Sequence, residues 1–221
     1  MATHDRSPGD ELPVDVAREL NQVAHFGRAR TVKDSVFAAA NAFDEGDYES
    51  VIELLATAKR DAPRSPTVRE LLGLAHYHLE HYRDAARELA AYRRLSGSYD
   101  QDPPFADCER ALGRPGKAVE ILSQLPRDEL SEEVLVEALV VLAGALRDLN
   151  RADEAVDALR AGPVRPAEVL PHHLRLWYAL ADALEDADNR REARSWWDAI
   201  YAEDPEFFDV ASRRLGLKRR G

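Results

Sequence analysis

The segment Gly46-Asp-Tyr-Glu-Ser-Val-Ile-Glu-Leu-Leu55 begins with a turn residue. Five positions later it carries a small or medium apolar residue, Val51, and four after that a large one, Leu55. The same arrangement returns four times: Glu80-His-Tyr-Arg-Asp-Ala-Ala-Arg-Glu-Leu89, Gly113-Arg-Pro-Gly-Lys-Ala-Val-Glu-Ile-Leu122, Asn150-Arg-Ala-Asp-Glu-Ala-Val-Asp-Ala-Leu159 and Asp188-Asn-Arg-Arg-Glu-Ala-Arg-Ser-Trp-Trp197. Anchored on Val51, Ala85, Ala118, Ala155 and Ala193, the spacings are 34, 33, 37 and 38 residues. A near-constant period of this size is the signature of stacked supersecondary units, each unable to bury its apolar face alone.

Composition agrees. The 221-residue chain is 45% hydrophobic and 32% charged, and it is dominated by Ala, Leu, Glu and Arg, residues that cost little in a helix. β-branched residues are sparse, which argues against a large sheet. The expected class is all-α.

A second small position recurs upstream of each anchor, at Ala39, Gly73, Ala106, Ala143 and Ala181. The residue just before it is large in four cases (Leu72, Phe105, Leu142, Leu180) and small at Ala38. Small side chains let two helices cross closely while bulky neighbours fill the adjacent gaps. With Trp177 and the closing prolines Pro63, Pro166 and Pro205, the pattern resembles the tetratricopeptide repeat (TPR). That resemblance implies a right-handed α-solenoid of about five helix pairs with an N-terminal helix and a C-terminal capping helix. Three further stretches, Val68-Arg-Glu-Leu-Leu-Gly-Leu-Ala-His-Tyr77, Arg93-Arg-Leu-Ser-Gly97 and Ala106-Asp-Cys-Glu-Arg-Ala-Leu-Gly-Arg-Pro115, resemble an actinobacterial cytoplasmic TPR family without an assigned activity. This implies a bacterial, cytoplasmic protein.

The expected organisation is a disordered tail at 1–12, an N-terminal helix at 13–30, a repeat array at 32–205, and a capping helix with a basic tail at 206–221. The repeats fall near 32–64, 66–97, 102–126, 132–166 and 171–205. Pro103 and Pro104 shorten the first helix of the third repeat. The cap draws its apolar face from Phe207, Phe208, Val210, Leu215 and Leu217.

A net charge of −11 disfavours general nucleic-acid binding. The N-terminus has no signal-peptide core, and no stretch is apolar enough for a membrane span. The single Cys108 excludes an intrachain disulfide and fits a reducing compartment.

Catalytic and cofactor patterns fail on inspection. Gly113-Arg-Pro-Gly-Lys117 lacks the glycine spacing and the Ser/Thr of a phosphate loop. Cys108 sits between Asp107 and Glu109, acids that disfavour a thiolate nucleophile. His78 and His81 share a helical face, but His76 lies about 200° from His78, so the three cannot converge on a metal. His172 and His173 are adjacent and are expected to point apart at a helix start. No metal, no cofactor and no enzymatic activity are expected.

The resemblance implies binding on the concave wall formed by the first helix of each pair. Carried over residue by residue, that wall comprises Lys33, Phe43, Glu70, Tyr77, His78, Asp107, Arg110, Arg147, Asp148, Arg175, Tyr178 and Asp182, with Val36 and Leu74 beside them. Aromatics would act as anchors and the arginines as carboxylate or phosphate forks. The position that carries Lys in carboxylate-clamping members is Val36 here and the one that carries Asn is Ala40, so that mode is disfavoured. The functional expectation is a non-catalytic scaffold for an unidentified protein or peptide. The alternative is a self-associating module, a homodimer through the C-terminal aromatics; an RNA-binding or enzymatic regulator ranks below both.

Overall fold

The computed structural model describes residues 12–218. Most of the expected tail at 1–12 and the basic residues Arg219 and Arg220 lie outside them. Twelve α-helices account for the described chain, with a single 3₁₀ turn at Arg127–Glu129 and no strand among the described residues. They are α1 (Val14–Val23), α2 (Ala29–Asp44), α3 (Tyr48–Asp61), α4 (Pro66–His78), α5 (Tyr82–Ser96), α6 (Asp102–Ala111), α7 (Pro115–Ser123), α8 (Glu132–Asp148), α9 (Ala152–Arg160), α10 (Pro171–Asp186), α11 (Arg190–Glu203) and α12 (Val210–Lys218). Five hairpins follow: α2/α3, α4/α5, α6/α7, α8/α9 and α10/α11. The chain divides into two compact units, residues 1–108 and 109–221.

The repeated turn residues are the joints of these hairpins. Gly46, Glu80, Gly113, Asn150 and Asp188 all adopt left-handed backbone, with φ between 57° and 77°. At each joint the next amide reaches back five residues: Asp47 to Ala42, His81 to His76, Arg114 to Glu109, Arg151 to Leu146 and Asn189 to Leu184, at 2.8–2.9 Å. The left-handed residue itself donates three residues back, at 2.8–3.0 Å. This Schellman-type closure satisfies carbonyls that a helix end would otherwise leave bare. It also reverses the chain in three residues, so the second helix folds back on the first.

Both small positions of each hairpin are buried. All five anchors are fully buried, and Ala39, Ala106, Ala143 and Ala181 are at most 1% exposed. At Gly73 an added Cβ would lie 2.5 Å from Leu89 Cδ2 and 2.7 Å from Cγ, so a larger residue there requires the Leu89 side chain to move. Unit 1 buries Leu20, Val32, Leu55, Val68 and Leu72 in one cluster. The C-terminal part of unit 2 buries Leu174, Trp177, Trp197, Ile200 and Val210 in another. Trp197 fills the large second-helix position and is fully buried, its indole N–H donating to Glu185 at 2.7 Å.

Three expectations need correction. The helix expected at 13–30 is two elements: α1 stops at Val23, and α2 begins at Ala29. The break comes where the His25 amide donates to Asp61 O at the end of α3 (2.8 Å) and Gly27 turns left-handed. Phe26, within that break, is therefore fully exposed. The cap starts at Val210 rather than 206; Val210 is fully buried, while Phe208 and Leu215 are 71% and 57% exposed. Trp196, among the C-terminal aromatics expected to offer a dimer surface, instead packs near Trp177, with ring centroids 5.7 Å apart.

Because nothing lies within 4 Å of a Cβ built on Gly113, Gly113→Ala tests the joint conformation alone. It should cost about 1 kcal/mol in urea unfolding, and Glu80→Gly should gain up to about 1 kcal/mol. Equal stabilities for both variants and the parent would show that the left-handed joints carry no strain.

Candidate functional site

Eight residues before each anchor stand Phe43, Tyr77, Arg110, Arg147 and Glu185, in the last turn of each first helix. Each reaches toward the following helix. The chemistry of that reach differs between the two units.

In unit 1 it is aromatic. The Phe43 ring meets His78 edge-on at 5.6 Å and Tyr48 at 5.2 Å, and Tyr48 stacks on His78 at 4.3 Å with planes 4° apart. Tyr77 lies beside His78 and Tyr82, at 6.0 and 6.3 Å. Its hydroxyl donates to Asp107 Oδ2 at 2.8 Å, and burial, then the Asp107 charge, pushes the phenol up from its ordinary range. The cluster is amphipathic: Phe43, Tyr48, Tyr77 and Tyr82 are half-buried, and His78 is exposed. Glu70 accepts from Gln101 Nε2 at 2.8 Å, and burial raises its carboxyl despite that bond. Lys33 is half-buried near the start of α2 and joins none of these described contacts.

In unit 2 the reach is ionic. Arg110 Nε donates to Asp148 at 2.6 Å. Arg147 uses Nε for Asp186 at 2.6 Å and a terminal nitrogen for Asp182 at 2.8 Å. Arg213 from α12 pairs with Asp182, lies 3.7 Å from Glu185 and covers the Trp197 ring at 4.8 Å. Arg175 pairs with Glu137. Gly144 makes room, since a Cβ there would stand 3.0 Å from the Arg110 guanidinium. Tyr178 donates to Asp209 at 2.5 Å and is pushed up to about 12, by burial first and by that bond second.

The expected wall residues therefore separate. Phe43, Tyr77, His78 and Asp107 come together, as do Arg110 with Asp148 and Arg147 with Asp182. The arginines expected to serve as forks for a partner are already engaged by carboxylates of a neighbouring first helix. Val36 does not line a wall; it is 1% exposed in the unit 1 core. Reasoning from sequence missed Tyr48, Tyr82, Asp186 and Arg213. The acid one residue after the arginine position, Asp148 and Asp186, was the available signal.

The histidine expectations also change. His78 and His81 do not form a pair; His78 stacks on Tyr48, and it is His76 whose ring approaches His81, at 5.8 Å. His172 and His173 converge rather than point apart, with centroids 4.1 Å apart and both Nε2 atoms near Glu132 Oε1, at 3.1 and 3.0 Å. The three ligand atoms lie within 4.8 Å of one another, yet the hydrogen bonding opposes a metal. His173 Nδ1 accepts from the Leu170 amide at 2.9 Å, so the proton sits on Nε2, which donates to Glu132 and has no lone pair to offer. Donation by His172, and then by His173, holds the Glu132 carboxyl below its usual range. The cluster is a clamp between the starts of α8 and α10. Cys108 is fully buried, and Lys117 of the rejected phosphate loop pairs with Glu109 at 2.9 Å.

Comparison with known proteins identifies the fold. No family model matches the sequence, and no curated protein does. Among solved structures, the chain is similar to MamA protein (TM-score 0.62, 15% identity, 80% of this chain and 93% of that one). It is also similar to the apo form of the quorum sensor NprR from B. thuringiensis (0.70, 12%, 91% and 62%). A third likeness is to TTC0263, a thermophilic TPR protein of Thermus thermophilus (0.59, 15%, 84% and 98%). The chain spans less than two thirds of NprR. At these identities the likeness establishes a TPR-like α-solenoid fold class. No helix among the described residues is long and apolar enough to cross a membrane.

If the ionic contacts between first helices hold unit 2 together, a double-mutant cycle on Arg147→Ala and Asp182→Ala should give a coupling of about 1 kcal/mol. Both side chains are only about a quarter exposed, which limits solvent screening. Additive losses in thermal unfolding would show the pair to be incidental.

Proposed function

We propose that this chain is a non-catalytic scaffold that docks a protein or peptide segment on the first-helix face of unit 1, centred on Phe43, Tyr48, Tyr77 and His78. The TPR-like fold is one of protein-interaction scaffolds in general. The observation that carries the finer reading is the contrast between the units. The unit 2 arginines spend their guanidinium groups on Asp148, Asp182 and Asp186, whereas unit 1 offers half-buried rings around an exposed histidine. Tyr and similar amphipathic rings supply contact area at low entropic cost, which is why they dominate interface hot spots. The proposed occupant is an extended or helical segment with apolar side chains that insert between the rings.

A second reading, self-association, draws on Phe208. This residue is 71% exposed, with Phe207 at 4.5 Å and Tyr178 at 5.4 Å.

Both are tested by placing a photo-crosslinking residue at His78 and, as a control, at the exposed Glu53, in cells of the source organism. The scaffold reading expects one discrete product at position 78, absent at 53. Tyr48→Ala with Tyr82→Ala should reduce it at least about tenfold while circular dichroism is retained. Products of equal yield at both positions would overturn the proposed face. A product consisting of two copies of the chain, lost in Phe208→Ala, would replace the scaffold reading with self-association.

A further inference from the structure

A cavity of about 440 Å³ opens between α3 and α4, lined by Ile52, Ala56, Lys59, Arg60, Arg69, Leu72 and His76. It is not part of the docking face proposed above. Arg69, Leu72 and His76 recur at helical spacing on one side of α4, and at about 100° per residue that side lies away from Glu70, Leu74 and His78. Its size is that of a small-molecule site.

The walls divide by chemistry. Ile52, Ala56 and Leu72 give an apolar half, and Lys59, Arg60 and Arg69 a cationic one. Behind them, Glu88 of α5 is fully buried. It takes Lys59 Nζ at 2.7 Å, an Arg69 terminal nitrogen at 2.6 Å and Arg87 Nε at 3.1 Å. Burial alone would raise the Glu88 carboxyl, but the Lys59 and Arg69 hydrogen bonds outweigh it and hold it low, so it is ionised. Arg87 also pairs with Asp84 at 2.8 Å. Among the described ion pairs, the cations Lys59, Arg69 and Arg87 share two carboxylates, Glu88 and Asp84, and Arg60 adds a fourth cation to the group. The surplus is positive, in a chain whose formal charge is −11. Burial lowers the His76 pKa, so the imidazole adds hydrogen-bonding capacity rather than charge. Arg69 Nε and His76 Nδ1, both on the cavity-lining residues, have no hydrogen-bond partner among the described residues. Both atoms are buried and offer no surface to a ligand in the cavity.

We propose that this cavity binds a small organic anion, an apolar body of about one ring bearing a phosphate or carboxylate group. The body lies against Ile52, Ala56 and Leu72, and the anionic group against Arg60, while Lys59 and Arg69, already bonded to Glu88, contribute positive charge rather than further directed bonds. Glu88 acts as a positioning residue, fixing the Lys59 and Arg69 side chains from behind so that little ordering is left for the ligand to impose.

The test is titration of the ¹⁵N-labelled full chain with phenyl phosphate, benzoate and inorganic phosphate at constant ionic strength. Saturable shifts in residues 52–60 and 69–76 are expected for phenyl phosphate or benzoate, with Kd near or below about 1 mM and inorganic phosphate weaker. Which of the two aromatic anions binds more tightly identifies the anionic group. Arg60→Gln, which leaves the Glu88 contacts intact, should weaken binding about threefold. Ala56→Trp, an exposed position where the new ring fills the apolar half without removing a charge, should abolish it. Linear, unsaturated shifts up to about 20 mM, or equal binding by the Ala56→Trp chain, would overturn the proposal.

Discussion

The left-handed joint is the constraint from which the rest follows. Five times the chain ends a helix on a residue with positive φ and closes it with the same pair of backward hydrogen bonds. Such a joint fixes the angle at which the second helix returns. In the second hairpin that return sets Leu89 of the second helix against Gly73 of the first, where a small residue is needed. Glycine meets the conformational demand at two joints, while Glu80, Asn150 and Asp188 accept it against their ordinary preference. Asn and Asp tolerate this region better than most residues, so Glu80 is the most strained of the five.

With the hairpin geometry set, each first helix presents its last turn to the next first helix. One position, eight residues before the anchor, then decides what kind of surface the unit carries. Phe43 and Tyr77 build an aromatic surface; Arg110 and Arg147 build an ionic one. The two solutions differ in what they leave available. Rings that contact one another edge-on still expose their outer faces. A guanidinium held at 2.6 Å by a carboxylate has spent much of its directional capacity. The same repeat frame thus yields a surface suited to contact in one unit and a self-satisfied one in the other.

Buried acids show how the molecule tolerates polar groups in a small core. Glu88 is fully buried yet chelated by three cations. Asp102, also buried, pairs with Arg93 at 3.1 Å, its one ion-pair partner among the described residues, and burial pushes it up to about 6 despite that cation. The difference is the number of partners, and it turns desolvation into a net penalty in one case and a net hold in the other.

Much of the fold was legible in the residues. The period, the small positions and the anchors are local patterns, and every one of those small and anchor side chains is buried where the repeat requires it. The N-terminal helix and the cap were misjudged because apolar periodicity says nothing about a backbone bond made elsewhere, such as the one from His25 to Asp61. The candidate site was half legible. The wall positions could be named, but a pattern of residue types cannot tell whether an arginine faces solvent or an aspartate 38 positions away. The convergence of His172 and His173 on Glu132 and the cation-lined cavity above Glu88 depend on the same kind of distant pairing. By itself the sequence determined the hairpins, because their joints and close crossings are set by neighbours within one repeat. Tertiary structure alone decided which side chains are spent internally and which remain to bind, because that depends on charges and rings brought together from different repeats.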